Sequence, residues 1–515
     1  MTALKSSALA VAGGAFLALC WTVVPPTGAG PLRSLLALML ALFGLGLTFY
    51  ALSGVQRDRW RLRQFGIGTL AMLGQFASTL AWTGQFSLGG RIALTLGQAG
   101  LAALPWLVVR LHRCPWGALW FASAMTAGQF LRSRTPLSGF PMGSFEPTLA
   151  GTPLALIAPL LGPLALTFAA SAIAAMLVVG FAALRHGDRD ERRAVTKHLA
   201  APLAVLGLLC TLGAFVNTAP TGKTMNVLVV QGGGKQGVLR EDQRPRDTFE
   251  KHLALAVADT AQRDLIVFPE NTAISSQGIE NADSAKALTS LARGKQAWIV
   301  AGFVQLNNDD TFDNMAVLWD PQGKVADTYT KQHRVPFGEY VPGRSFIERI
   351  ADLSQVPYDA TQSNNAPILG GDPDTVFGVA ISYEAMFGDE VRDSTGLGAG
   401  LLTIPTNASS YFSIQVSKEQ VQHGRLRALE NRRWALLAAP TGVSAIIEPT
   451  GNVKKASQRG QATTLDQTIT VREGKTPYSV LGDVPIIILC VLIALGKRDE
   501  TCNLLPTCRT QSLPS

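Results

Sequence analysis

Within the first 217 residues the chain carries seven apolar runs, near 7–24, 34–54, 66–85, 92–109, 115–131, 153–183 and 199–217. A helix needs roughly 20 apolar residues to cross a hydrocarbon layer of ~30 Å, and these runs approach that length. Seven in succession are too many for the core helices of a soluble protein. They impose a polytopic α-helical membrane domain on residues 1–217. An eighth run, near 480–496, is shorter and contains Asp483 and Pro485. It reads as a final span, so that 480–515 would comprise that span and a tail. Composition agrees: of 515 residues, 47% are hydrophobic and only 16% charged, the balance of a membrane protein.

The connections orient the runs. Arginines concentrate in alternate loops: Arg57, Arg59, Arg61 and Arg63, then Arg110 and Arg113, then Arg185, Arg189, Arg192 and Arg193. Lys5 precedes the first run. By the positive-inside rule these segments face the cytoplasm. An odd number of spans then places everything after 217 on the far side of the membrane, and the last span returns Lys497, Arg498, Asp499 and Glu500 to the cytoplasm. No small-residue cleavage site follows the first run, which therefore reads as an anchor. The net charge of +8 lies largely in these loops. No basic stripe with interleaved aromatics appears, so nucleic acid is not an expected partner.

The segment 218–479 reads differently. Short β-rich runs ("NVLVVQ", "DLIVFPE", "QAWIVAGF", "MAVLWD", "FGVAIS", "GLLTIPTN", "SAIIEP") alternate with helix-like stretches at 245–261, 283–294 and 417–435. This alternation predicts a layered α/β domain. Its strands are apolar nearly throughout, so both faces of each sheet should be covered. The six cysteines are Cys20, Cys114, Cys210, Cys490, Cys502 and Cys508. None falls in 218–479, which therefore lacks a disulfide framework, a thiolate metal site and a thiol nucleophile. Six histidines without paired spacing give no metal site. "GGGK" (232–235) and "TGKT" (221–224) lack the residues of a phosphate loop. No cofactor is expected.

Three segments end in groups that could converge at one sheet edge: "DLIVFPE" at Glu270, "TYTKQHRVPFGEY" with Lys331 and Glu339, and "FGVAIS" at Ser382. A carboxylate can take a nucleophile's proton, and an ammonium can stabilise a developing oxyanion. Each residue alone also has a plain reading, as a turn cap or a solvated charge. A Ser–His–acid arrangement using His333 or His423 is a further option.

In order, "PE" after an apolar strand, "YTKQHRVPFGEYVP", "ISYE" and "RLRALENRRWALLAAPTGVSA" resemble the apolipoprotein N-acyltransferase family, membrane-embedded members of the nitrilase superfamily. The resemblance spans nearly the whole chain. It implies a nitrilase-like αββα sandwich outside the cytoplasm, here 218–479. It implies Glu270 as general base, Lys331 as triad lysine, Glu339 as supporting glutamate, and Tyr383 and Glu384 as the pair after the nucleophile. It further implies a phospholipid acyl donor, a lipoprotein acceptor carrying an N-terminal diacylglyceryl-cysteine, and a monomer in the bacterial inner membrane with its catalytic domain in the periplasm.

Ser382 stands where that family has cysteine. A thiol of pKa ≈ 8.5 ionises after modest perturbation, whereas a hydroxyl needs a strong adjacent base. An oxygen ester is also a poorer acyl donor to an amine than a thioester. Three readings therefore stay open: an N-acyltransferase weakened or silenced by Ser382; a non-catalytic lipid- or lipoprotein-binding paralogue serving an envelope process such as conjugative transfer; and an amidase of the wider superfamily, against which eight spans argue. Arg240, Met142 and Ala408 also depart from the family pattern, which has tryptophan, an aromatic residue and aspartate at these positions. "VPGRSFIERIADL" (341–353) places Phe346, Ile347, Ile350 and Leu353 at helical spacing, as core packing or as an amphipathic arm on the outer leaflet.

Overall fold

The computed structural model describes residues 2–28, 30–55, 58–108, 110–235, 245–349, 353–354, 356–372 and 375–496. Arg57, Arg240, Ile350, Cys502, Cys508 and the tail charges 497–500 lie outside the described residues. The chain forms two compact units, one from residues 1–25, 29–216 and 481–515, the other from 26–28 and 217–480.

In the first unit, helices occupy every apolar run: Ala3–Val23, Pro31–Ser53, Trp60–Thr79, Leu88–Ala103, Pro115–Arg132, Pro163–His186, Arg189–Phe215 and Val484–Leu495. Among the described residues, four helices are long and apolar enough to cross a membrane: Ala3–Val23, Pro31–Ser53, Pro163–Arg185 and Arg192–Phe215. The others depart from the sequence expectation for local reasons. The fourth run breaks into a 3-10 turn at Leu104–Leu107, where Pro105 removes a backbone donor. The sixth run starts as short turns and becomes a long helix only at Pro163, after Gly162 at φ 78°. The last helix has 12 residues, about 18 Å at the α-helical rise. Small residues bring the helices together: a Cβ on Gly14 would lie 1.7 Å from the Ala71 carbonyl oxygen, so only glycine permits that crossing. Leu203, Val205, Leu208, Leu212 and Phe215 are exposed along one helix, as contact with lipid requires.

A buried arginine fastens the 141–144 loop inside this unit. Arg132 donates to Gln98 Oε1 at 2.9 Å, Gln129 Oε1 at 2.8 Å and Ser144 Oγ at 2.6 Å, and also to the Met142 carbonyl. Its guanidinium lies 4.5 Å over the Phe76 ring. The Met142 side chain is buried.

The second unit contains two sheets. The first has the order β14 (Thr463–Glu473), β1 (Ala219–Gln231), β2 (Leu265–Val267), β4 (Trp298–Leu306), β5 (Thr311–Trp319) and β6 (Val325–Thr330), with β3 (Ala273–Ser275) on β4 and β7 (Asp359–Ala360) on β5. The second has the order β13 (Val453–Ala456), β12 (Ala445–Ile447), β11 (Ala435–Ala438), β10 (Leu401–Pro405), β9 (Thr375–Val379) and β8 (Ile368–Asp372). Val227, Val267, Val300 and Leu318 of the first sheet pack with Phe377, Val379, Leu401 and Leu436 of the second. Helices Pro245–Ala258 and Asp283–Lys295 cover the outer face of one sheet, and Gly388–Gly396 and Ile414–Asn431 that of the other. This is the αββα sandwich. The central strands β2, β10 and β11 are apolar and buried because both faces of their sheets are covered. By contrast, β6, β13 and β14 carry exposed polar residues, so the expectation of strands apolar nearly throughout holds only for the centre of each sheet.

Among the described residues of 341–353 there is one helical turn, Arg344–Ile347. Phe346 is exposed rather than part of the core. Arg344 anchors the turn through Asp359, at 2.5 and 3.2 Å.

Candidate active site

Three strand ends deliver the polar residues. Glu270 follows β2 by three residues, Lys331 immediately follows β6, and Ser382 follows β9 by three. Gly302 on β4 lets the Glu270 backbone approach, since a Cβ there would lie 2.5 Å from the Glu270 Cα.

Glu270, Lys331 and Glu339 form one buried cluster. The Lys331 ammonium donates to Glu339 Oε1 at 2.7 Å and to Glu270 Oε1 at 3.2 Å. Asn314, inside β5, donates its amide to Glu270 Oε1 at 2.8 Å and to Glu339 Oε1 at 3.0 Å. The other oxygen of Glu339 accepts the Val335 amide at 2.8 Å. All four residues are at most 5% exposed, so each charge depends on these partners. Burial alone would lower the pKa of Lys331, but the carboxylates of Glu270 and Glu339 outweigh it and hold the ammonium above its usual value. Lys331 is thus a fixed cation at neutral pH. Asn314 carried no signal in the sequence: it stands next to Asp313, just before the apolar run "MAVLWD".

Ser382 sits on a sharp turn. Its φ is +53°, a left-handed conformation costing about 1–2 kcal/mol for a residue with a Cβ. It opens the 3-10 turn Ser382–Met386. Glu384 holds this turn to the end of β6. One of its oxygens accepts from Tyr329 Oη at 2.9 Å and from the Gln332 and His333 amides at 2.6 and 3.1 Å. The other accepts the Ile381 amide at 2.7 Å. Burial pushes this carboxyl up, while nearby Lys331 and the Ile381 and Gln332 amides oppose it. One buried carboxylate therefore ties the residue before Ser382 to the two residues after Lys331. Tyr383 packs edge-on against Phe387, with ring centroids 5.1 Å apart.

Ser382 Oγ accepts hydrogen bonds from Thr406 Oγ1 at 3.2 Å and Gln420 Nε2 at 3.3 Å. Neither residue stood out in the sequence. These are its hydrogen-bond partners among the described residues, so no histidine is bonded to it. His333 instead pairs through Nδ1 with Glu390 and stacks on Phe387 at 4.2 Å. Burial raises the Glu390 carboxyl to about 7. His423 is buried on helix Ile414–Asn431. The geometry thus brings Glu270, Lys331 and Glu339 together, links Ser382 to them through Glu384, and gives no Ser–His pair. Ala408 is buried, with its Cβ 3.6 Å from the position a Cβ on Gly442 would take.

Comparisons with known proteins bear on this arrangement. A family model described as "Apolipoprotein N-acyltransferase N-terminal domain" matches residues 11–176. One described as "Carbon-nitrogen hydrolase" matches 230–477. A protein named apolipoprotein N-acyltransferase from Haemophilus influenzae is 30% identical over 458 residues, covering 84% of this chain and 83% of its own length. The chain belongs to the apolipoprotein N-acyltransferase family. Family proteins of that name from Bordetella bronchiseptica (29% identical, 82% of this chain and 83% of that protein) and Chromobacterium violaceum (26%, 91% and 95%) are also similar. Among solved structures, Saccharomyces cerevisiae Nit3, of the nitrilase superfamily, covers 53% of this chain and 98% of its own at 17% identity and a TM-score of 0.38. Within this acyltransferase family assignment, Glu270, Lys331, Glu339 and Ser382 all fall inside the carbon-nitrogen hydrolase match.

Proposed function

We propose that this protein transfers an acyl chain from a phospholipid to the α-amine of a lipoprotein's N-terminal diacylglyceryl-cysteine, with Ser382 carrying the chain as an ester. The observation that carries this reading is the buried Lys331 ammonium, bracketed by Glu270 and Glu339 and joined through Glu384 to the strained turn of Ser382. Glu270 takes the Ser382 hydroxyl proton as general base. Lys331 stabilises the oxyanion of the tetrahedral intermediate, and Glu339 fixes its position. The exposed Phe346 turn supports an arm that meets the outer leaflet. A second reading, a lipid-binding paralogue without turnover, is favoured by Ser382 itself, because a hydroxyl is the weaker nucleophile.

The test is transfer by the purified protein from phosphatidylethanolamine to a diacylated lipopeptide, followed by mass spectrometry of the peptide. Wild type is expected to yield triacylated peptide, and Ser382→Ala none. Lipid bound without transfer would favour the second reading.

The same proposal places the chain as a monomer in the bacterial inner membrane, with spans in 1–217 and 480–496 and the domain 218–479 in the periplasm. The alternating arginine loops support this orientation. A reporter active only in the periplasm is expected to be active when fused after residue 225 and silent when fused after Arg193. The opposite pattern would overturn the orientation and the access to outer-leaflet lipid.

A further inference from the structure

Two donors converge on the one atom that distinguishes this site from a cysteine site. Thr406 Oγ1 and Gln420 Nε2 lie 3.2 and 3.3 Å from Ser382 Oγ, and both side chains are almost fully buried. Thr406 is fixed where β10 ends, its amide donating to the Ala438 carbonyl at 2.8 Å. Gln420 stands in the second turn of helix Ile414–Asn431. The Gln420 Oε1 atom has no hydrogen-bond partner among the described residues. The amide is therefore not engaged in fastening the helix, and its recorded polar contact is with the nucleophile.

The chemistry gives these donors a use. Sulfur is a weak acceptor, and a thiolate departs without assistance; a hydroxyl oxygen accepts strongly, and an alkoxide is a poor leaving group. A serine ester reaching an amine must expel an alkoxide, which is the step where serine is inferior to cysteine. Hydrogen bonds to the charged form favour that form.

We propose that Thr406 and Gln420 are catalytic residues that stabilise the Ser382 alkoxide as it leaves during transfer of the acyl chain to the amine. The proposal rests on the reading of Ser382 as the acyl carrier. In this step the amine nitrogen's lone pair forms the C–N bond and the carbonyl oxygen takes up the negative charge. On collapse the C–Oγ bond breaks and its electron pair goes to Oγ, which Thr406 and Gln420 receive. The proton lost by the nitrogen passes through Glu270 to Oγ, leaving an amide and a restored hydroxyl.

The test compares Gln420→Leu and Thr406→Val in the wild-type and Ser382→Cys backgrounds, using full-length protein, phosphatidylethanolamine vesicles and a diacylated lipopeptide. Intact-protein mass spectrometry reads acyl loading at position 382, and product formation reads transfer. In the serine background each change is expected to slow transfer by about 10²-fold, with acylated Ser382 accumulating. In the cysteine background the same change is expected to cost at least roughly tenfold less, because sulfur is the weaker acceptor. Both backgrounds carry the same packing change, so a misfolded variant would lose activity equally in each. Equal losses, or no loss in the serine background, would overturn the proposal while leaving Ser382 as the carrier. Wild type that never loads Ser382 would overturn both readings.

Discussion

Lys331→Ala is expected to lower acyl transfer by at least about 10²–10³-fold, the cost of removing one oxyanion donor. The fold will not be indifferent to the change. Lys331 is the ammonium between Glu270 and Glu339, whose oxygens also share the Asn314 amide. Without the cation two buried carboxylates face each other with no opposite charge to compensate them. Breaking a buried ion pair from one side costs about 3–5 kcal/mol, a drop in Tm on the order of 10 °C for a domain of this size. Circular dichroism melting and the transfer assay separate the two effects, since the variant should be folded at 25 °C and still silent. Transfer at the wild-type rate would remove this cluster from the chemistry.

That double dependence explains what could and could not be read in the sequence. Glu270 and Ser382 were legible because each follows an apolar run, and Lys331 because it stands in the polar segment between them, and strand ends in a layered sheet meet along one edge. Glu339 was legible as a carboxylate in the same segment as Lys331, but Glu384 only by resemblance; its work is done through the Tyr329 hydroxyl and backbone amides at Ile381, Gln332 and His333, and no spacing rule reports which amide a carboxylate will find. Asn314 was hidden because it sits beside Asp313 at the polar start of its strand, where a polar residue has many uses. Thr406 and Gln420 were hidden for a different reason. They reach Ser382 from the end of β10 and from a helix, 24 and 38 residues away in sequence, and the helix-like pattern of 417–435 does not report that the helix is buried along most of its length.

The membrane unit shows the same division. Hydropathy located every helix, because transfer free energy depends on composition. It did not locate the breaks at Leu104–Leu107 and Gly162, where proline and glycine act through backbone geometry rather than polarity. Nor did it show that Arg132, just beyond the run at 115–131, is a buried clasp on the 141–144 loop. The 341–353 periodicity overstated a helix: the described segment has one turn, and Phe346 points to solvent.

The other large effect concerns the nucleophile. Ser382 occupies a left-handed position that serine and cysteine enter at similar cost, so Ser382→Cys should preserve the turn and change only the reacting atom. Incubating wild type, Ser382→Cys and Ser382→Ala with phosphatidylethanolamine, then measuring intact mass before and after neutral hydroxylamine, tests Ser382 as the acyl carrier most directly. Wild type is predicted to gain one acyl chain, mapped to Ser382 and resistant to hydroxylamine. Ser382→Cys should gain it faster and lose it on treatment, and Ser382→Ala should gain nothing. An acyl chain on another residue, or a wild-type protein that binds the lipid but never gains its mass, would contradict the assignment of Ser382 as the acyl carrier.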